Sequence, residues 1–137
     1  MRPSKISLTV DAVVIHKLST IPKLLLIRRR NDPFKGTWAL PGGFVDEDED
    51  LEKAAIRELF EETGMQIENL QQIAAFGKPG RDPRGHTVSI AYFGVATGDT
   101  VQAGDDADEA EWFAINDLPD LAFDHGEIIS FAINKFL

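Results

Sequence analysis

The sequence contains no cysteine, which excludes disulfide bridges and thiolate zinc sites and leaves a reducing compartment open. Positive charge is also scarce. Fourteen lysines and arginines face 23 aspartates and glutamates, for a formal net charge of −9. That balance argues against a general nucleic-acid surface or a docking face for acidic membranes. An acidic protein still binds an anionic substrate where metal ions reverse the local charge. No apolar run approaches the roughly 18 residues of a membrane span. A basic start, MRPSK, precedes the apolar ISLTVDAVVIH as in a signal peptide, yet Asp11 interrupts the run and no small-residue cleavage pattern follows. A first strand is expected there, and a cytoplasmic location for the protein.

What is present is the composition of a globular domain: 43% hydrophobic and 27% charged residues over 137 positions, enough to bury one core. No repeat, low-complexity segment or linker divides the chain, so residues 1–137 are expected to form a single domain. The apolar runs Leu8–Ile15 and Lys23–Ile27 predict strands around the loop Leu18–Pro22. A turn-rich stretch, NDPFKGTW, leads to a short apolar piece ending in Pro41-Gly42-Gly43. A helix should follow, with Asp50 as N-cap and Gly64 as its stop. IENLQQIAAFG and HTVSIAYFGVA read as strands joined by the loop KPGRDPRG, and EAEWFAI as a further short strand. A closing helix is predicted from His125 to Leu137, with Ile128, Phe131, Ala132 and Phe136 on one buried face. Strands with two interspersed helices imply an α/β or α+β fold with helices packed on a mixed sheet.

The helix carries an anomaly. RELFEETG, Arg57 to Gly64, crowds Glu58, Glu61 and Glu62 into five positions, although like charges one turn apart repel. At ~100° per residue, Leu51, Ala55, Ile56, Leu59 and Phe60 define a broad apolar arc. Glu58 and Glu62 fall at its edge, where a buried carboxylate needs a partner, a proton or a metal. Arg57 and Lys53 are expected to project away from that edge. Carboxylates at i and i+4 suit Mg²⁺ or Mn²⁺, which take hard oxygen ligands together with substrate phosphates. Just before the helix, Gly42 and Gly43 let the backbone approach a ligand or ion closely.

Gly43, Glu49, Arg57-Glu58-Leu59, Glu61-Glu62 and Gly64-Met65 are spaced over 23 positions in a pattern that resembles the complete Nudix box. The resemblance implies an α/β/α sandwich around a mixed sheet, and a helix whose cations grip a diphosphate. It implies Glu58 and Glu62 as direct metal ligands, Glu61 as an additional or water-mediated one, and the Gly42 carbonyl as another. Arg57 with Glu49 would position the carboxylates. Many relatives carry glycine where Asp48 stands; Asp46, Glu47 and Asp48 otherwise suit a solvated loop near a helix N-terminus.

RDPRGH, Arg81 to His86, places two arginines and a histidine in one loop of an acidic chain. Arginine forks match phosphate geometry, so Arg81, Arg84 and His86 are candidate substrate contacts; the alternative is a charged turn shaped by Pro83 and Gly85. RDPRGHTVSIAYF, with PFKGTWALPGGFV, AGDDADEAEWF and LAFDH, is similar to the ADP-ribose pyrophosphatase branch and to the related domains joined to nicotinamide-nucleotide enzymes. Nudix enzymes commonly recruit one more carboxylate from a late loop, and Asp105, Asp106, Asp108, Glu109 and Glu111 are the candidates here. Phe34 and Trp38 are able to stack on an adenine or to pack into a turn. His125 suits a helix entry or a site lining; His16 suits the core.

The resemblance implies a Mg²⁺-dependent hydrolase, with Mn²⁺ as a substitute, that cleaves ADP-ribose to AMP and ribose 5-phosphate. Expected partners are a small nucleoside diphosphate substrate, neither nucleic acid nor membrane, with a homodimer compatible. Another nucleoside diphosphate derivative, or a nucleoside triphosphate, oxidised or not, is the alternative substrate. A non-catalytic ADP-ribose sensor is the alternative class, though such relatives add a DNA-binding extension.

Overall fold

The computed structural model describes residues 5–104 and 107–137. Among them, seven strands form one mixed sheet: β1 (Ser7–His16), β2 (Lys23–Arg29), β3 (Trp38–Ala39), β4 (Gly42–Phe44), β5 (Gln71–Phe76), β6 (Thr87–Val95) and β7 (Ala107–Ala114). Two helices accompany it, α1 (Leu51–Thr63) and α2 (His125–Phe136). The main order is β3-β2-β1-β6-β5, with β4 paired to β1 and β7 to β2. β1 and β6 run parallel, in register from Ser7 opposite Thr87 to Ile15 opposite Val95.

β1 explains the two-sided architecture. A strand's side chains alternate between faces, and both faces of this one are covered. Val10, Ala12 and Val14 pack with Ala54, Ala55 and Leu59 of α1. Val13 and Ile15 pack with Ile128, Ile129 and Ala132 of α2. A strand buried on both sides reads as a continuous apolar run, and Asp11 is its charged exception, on the face of Val13 and Ile15. The fold is the expected α/β arrangement of a mixed sheet with a helix on each face.

α1 begins and stops as its sequence signals. Asp50 accepts a hydrogen bond from the Lys53 amide at 3.2 Å, and Gly64 adopts φ 72° while its N–H reaches the Phe60 carbonyl. The Gln102 and Gly104 amides then satisfy the carbonyls of Thr63 and Glu62, two of the acceptors a helix end leaves open.

The helix faces are narrower than periodicity predicts. Phe60 is 48% exposed and Phe131 45%. Two alanines, Ala54 and Ala55, let α1 lie close to the sheet, which leaves Phe60 beyond the contact zone. Phe131 leans edge-on against Phe76 at 5.8 Å instead of entering the core. Strand boundaries also shift. β5 starts at Gln71, because the Leu70 amide bonds to Glu52 rather than to a neighbouring strand. β7 starts at Ala107, two residues before the predicted EAEWFAI, by pairing along β2.

Candidate active site

Gly42 and Gly43 sit where β4 passes between β1 and the glutamate side of α1. Gly42 lies opposite Asp11 of β1, and a Cβ on Gly42 would run into the Val10 carbonyl. A Cβ on Gly43 would stand 2.6 Å from the Glu58 carboxyl carbon. Only glycine leaves room for that carboxylate. On the next turn, Glu62 is 7% exposed and accepts the Gly42 N–H at 2.8 Å. The two carboxylates therefore stand against the glycine strand at the edge of the buried face, while the Glu61 side chain is 38% exposed.

Arg57 does not project away from this edge, as helical geometry had suggested. Its Nε and Nη2 grip Glu49 at 2.7 and 2.9 Å, Nη2 also reaches the Phe44 carbonyl, and Nη1 meets Glu58 at 2.8 Å and Glu61 at 3.1 Å. A long arginine on the neighbouring helix position bends back because three carboxylates and a carbonyl converge there. The Arg57 guanidinium pulls the Glu49 carboxyl down to about 2. Glu49 in turn, aided by Glu58 and Glu61, raises the Arg57 pKa further above its ordinary value. Asp48 adopts φ 62°, the left-handed region that glycine favours, so the loop keeps the glycine-type conformation with an aspartate in place.

A cleft of about 450 Å³ opens beside this wall, and its lining includes Gly42, Gly43, Glu58, Glu61 and Glu62. Arg81, Asp82, Arg84 and Phe123 line it as well, together with buried Asp11 and His125. The two arginines of the RDPRGH loop have different surroundings. The Arg81 side chain is 5% exposed, and its Nε and Nη2 fork onto Asp124 at 2.9 and 2.6 Å. Burial lowers the Arg81 pKa, but Asp124 outweighs it and the net shift is upward. The Arg84 side chain remains 42% exposed and forks onto the buried Asp82. Burial pushes Asp82 up, yet Arg84 holds it below the ordinary carboxylate value.

Other candidates lie outside the cleft. His86 is exposed, with Nε2 2.9 Å from the Gly77 carbonyl. Phe34 touches the cleft residue Phe123 edge-on at 4.8 Å but does not itself line the space. Trp38 packs on Phe113, and His16 is buried against Trp112. Of the late acids, Asp108 pairs with Arg30 and Glu109 with Arg28, Glu111 is exposed, and none of the three lines the cleft. Asp105 and Asp106 lie outside the described residues.

A buried network at the base of the cleft was mostly hidden in the sequence. The Ser89 hydroxyl donates to Asp11 Oδ2. His125 Nδ1 accepts the Leu40 N–H at 3.0 Å, so the ring hydrogen sits on Nε2, 3.5 Å from Asp11 Oδ1. Burial raises the Asp11 pKa, but His125, Ser89 and Arg81 outweigh it and leave the carboxyl below its ordinary value. The sequence signals were an aspartate inside an apolar strand and His125, which suited a helix entry or a site lining. Phe44 and Phe123 fall within PFKGTWALPGGFV and LAFDH but were not singled out.

The donor set suits a hard divalent cation: glutamate oxygens from two turns of one helix, beside a glycine backbone with no side chain in the way. Among the described residues, no three carboxylate or imidazole groups converge at metal-binding distance, and Arg57 Nη1 lies between Glu58 and Glu61.

The NUDIX domain model matches residues 7–131, and the chain belongs to the Nudix family, whose hydrolases generally use divalent metal cations. It is 51% identical over 107 residues to an ADP-ribose pyrophosphatase of Methanocaldococcus jannaschii, covering 78% of this chain and 63% of that protein. It is 38% identical over 133 residues to the ADPR responsive transcriptional repressor NtrR of Acinetobacter baylyi, covering 93% of this chain and 53% of the repressor. The chain thus spans less than two thirds of the length of either relative. The NUDIX domain of Shewanella oneidensis NrtR, solved with ADP ribose, superposes with a TM-score of 0.92 at 34% identity, covering 98% of this chain and 90% of that one. No helix among the described residues is long and apolar enough to cross a membrane.

Proposed function

We propose that the protein hydrolyses the pyrophosphate bond of ADP-ribose, giving AMP and ribose 5-phosphate, with Mg²⁺ as cofactor and Mn²⁺ as a working substitute. The observation that carries this reading is a single cleft lined both by the α1 carboxylates and by the exposed Arg84. A diphosphate needs cationic charge on both flanks, and a purely acidic wall would repel it.

Glu58 and Glu62 would hold the cation, with Glu61 and the Gly42 carbonyl completing the oxygen set. When bound, it supplies positive charge to the diphosphate and activates water as a Lewis acid. The chain's own residues do the rest. Arg57, anchored on Glu49, keeps the carboxylates on one side of the cleft. The Gly42 N–H orients Glu62. Arg84, held through Nε and Nη2 on Asp82, presents its remaining N–H groups to phosphate oxygens. A cleft carboxylate outside the cation's oxygen set takes the proton as water oxygen attacks one phosphorus and the bridging P–O bond breaks toward the other phosphate. Asp11 and His125 stay buried beneath the cleft and hold the Leu40–Gly42 backbone in place.

The test is a panel of ADP-ribose, NADH, ADP-glucose, diadenosine polyphosphates, ATP and 8-oxo-dGTP assayed with Mg²⁺. ADP-ribose should give the highest kcat/KM, and chelation should abolish turnover. A triphosphate preferred by about tenfold, or pyrophosphate among the products, would overturn this substrate. A second reading, an ADP-ribose sensor, draws on the repressor relative that aligns with 93% of this chain. It expects ADP-ribose to raise the melting temperature with no product formed.

A further inference from the structure

The direction of the Gly42 carbonyl follows from the β1–β4 ladder. The Ala12 N–H reaches the Pro41 carbonyl at 2.8 Å, and the Val45 N–H reaches the Leu8 carbonyl at 3.1 Å. Hydrogen-bonded pairs alternate with non-bonded ones along an antiparallel ladder. Between those two bonds, Asp11 and Gly42 are therefore a non-bonded pair. The N–H and C=O of Gly42 both point away from β1, and the N–H meets Glu62. The carbonyl is directed to the same side as that carboxylate.

The entry to α2 fixes the segment from the other edge. The Trp38 N–H bonds to the Asp120 carbonyl at 3.4 Å, and the Ala122 N–H to the Trp38 carbonyl at 2.8 Å. These are the first two bonds of a parallel ladder between Trp38 and Leu121. The next would join the Leu40 N–H to the Ala122 carbonyl. That carbonyl instead accepts the His125 N–H at 3.1 Å, where the chain turns into α2. The imidazole supplies the missing acceptor: Nδ1 takes the Leu40 N–H at 3.0 Å. Leu40 is 2% exposed and His125 4%, so this N–H has little access to water, and leaving it unpaired is costly. Asp11 faces the ring from β1, and Arg81 grips Asp124, the residue before it.

We propose that His125 is a positioning residue for the cation, which fixes the direction of the Gly42 carbonyl by accepting the Leu40 N–H. The proposal rests on the reading that this carbonyl and the α1 glutamates hold a divalent ion. Only Pro41 separates Leu40 from Gly42, and its ring locks φ, so an orientation set at the Leu40 amide is carried to Gly42. A histidine that looks like a helix-entry residue thus acts on the oxygen set without touching it.

Mn²⁺ alone is the probe, its free concentration read by electron paramagnetic resonance as it is titrated into the full chain without nucleotide. His125→Phe, which keeps a ring and loses the acceptor, should weaken Mn²⁺ about tenfold, as residues that orient metal ligands do. His125→Asn, whose carboxamide oxygen still offers an acceptor to Leu40, should bind nearly as the wild type does. Ile129→Val loosens the packing of α2 within the core; it should lower the melting temperature and leave Mn²⁺ affinity unchanged. His125→Leu, smaller than the ring it replaces, stands in if His125→Phe does not fold. Unchanged affinity in the variant without an acceptor, an equal loss in His125→Asn, or an equal loss in Ile129→Val would overturn the positioning role. Glu62→Gln separates the two readings. If it leaves Mn²⁺ binding unchanged, the cation assignment falls and the positioning role with it. If it weakens Mn²⁺ while His125→Phe does not, the positioning role falls alone.

Discussion

The Gly42 amide donates to Glu62 Oε1 at 2.8 Å across twenty residues of sequence. This bond ties the last turn of α1 to the glycine strand beside β1, and it holds a carboxylate at the edge of the core. Glutamine preserves the acceptor oxygen but not the charge, which separates the structural role of Glu62 from its chemical one.

Glu62→Gln and Glu58→Gln should therefore keep the wild-type circular dichroism spectrum and lose turnover by roughly a hundredfold or more at saturating Mg²⁺. Near-normal rates in both variants would remove the metal-ligand assignment.

Gly43→Ala tests the close approach directly. Its new Cβ would stand 2.6 Å from the Glu58 carboxyl carbon, so the flexible end of Glu58 must swing aside. Turnover should fall steeply while the melting temperature changes by only a few degrees. An equal fall in both would mean that the glycine serves the backbone instead.

Glu49 gives a pH signature. Its folded-state carboxyl is drawn from 4.5 to about 2 by Arg57, so the stabilisation is fully present above the ordinary value and disappears as pH falls through about 2. At neutral pH the wild type should melt above Glu49→Gln, and the gap should close between pH 4.5 and about 2. A gap that does not change with pH would show that packing, not the ion pair, sets the difference.

Arg81 and Arg84 should behave as different residues. Arg81→Met leaves the Asp124 carboxylate without its fork, and should cost about 3 kcal/mol of stability in denaturant melts. Arg84→Ala leaves the buried Asp82 without its fork and should cost stability as well, but unlike Arg81→Met it should also raise KM for the nucleotide. Reversed outcomes would exchange their roles.

Much of the fold was legible because its signals are local. Asp50 and Gly64 bound α1 through contacts within one helical turn, and the apolar run of β1 announced a strand buried on both faces. The Nudix box was legible for the same reason: Gly43 to Met65 form one strand-loop-helix unit, so their spacing is close to their geometry. Helix faces were read too broadly at Phe60 and Phe131, since periodicity gives a direction but not the width of the packed contact.

Partners distant in sequence were decided only by the tertiary structure. Two arginines three residues apart look alike as letters, yet Arg81 meets Asp124 across 43 residues and is buried, while Arg84 meets Asp82 two residues away and stays half in solvent. Asp11 finds Ser89 across 78 residues through the parallel β1–β6 pairing. The rings of Phe44 and Phe123 reach the Arg84 guanidinium from opposite ends of the chain. A side chain's neighbours across a sheet depend on register and layer order, which no local pattern encodes.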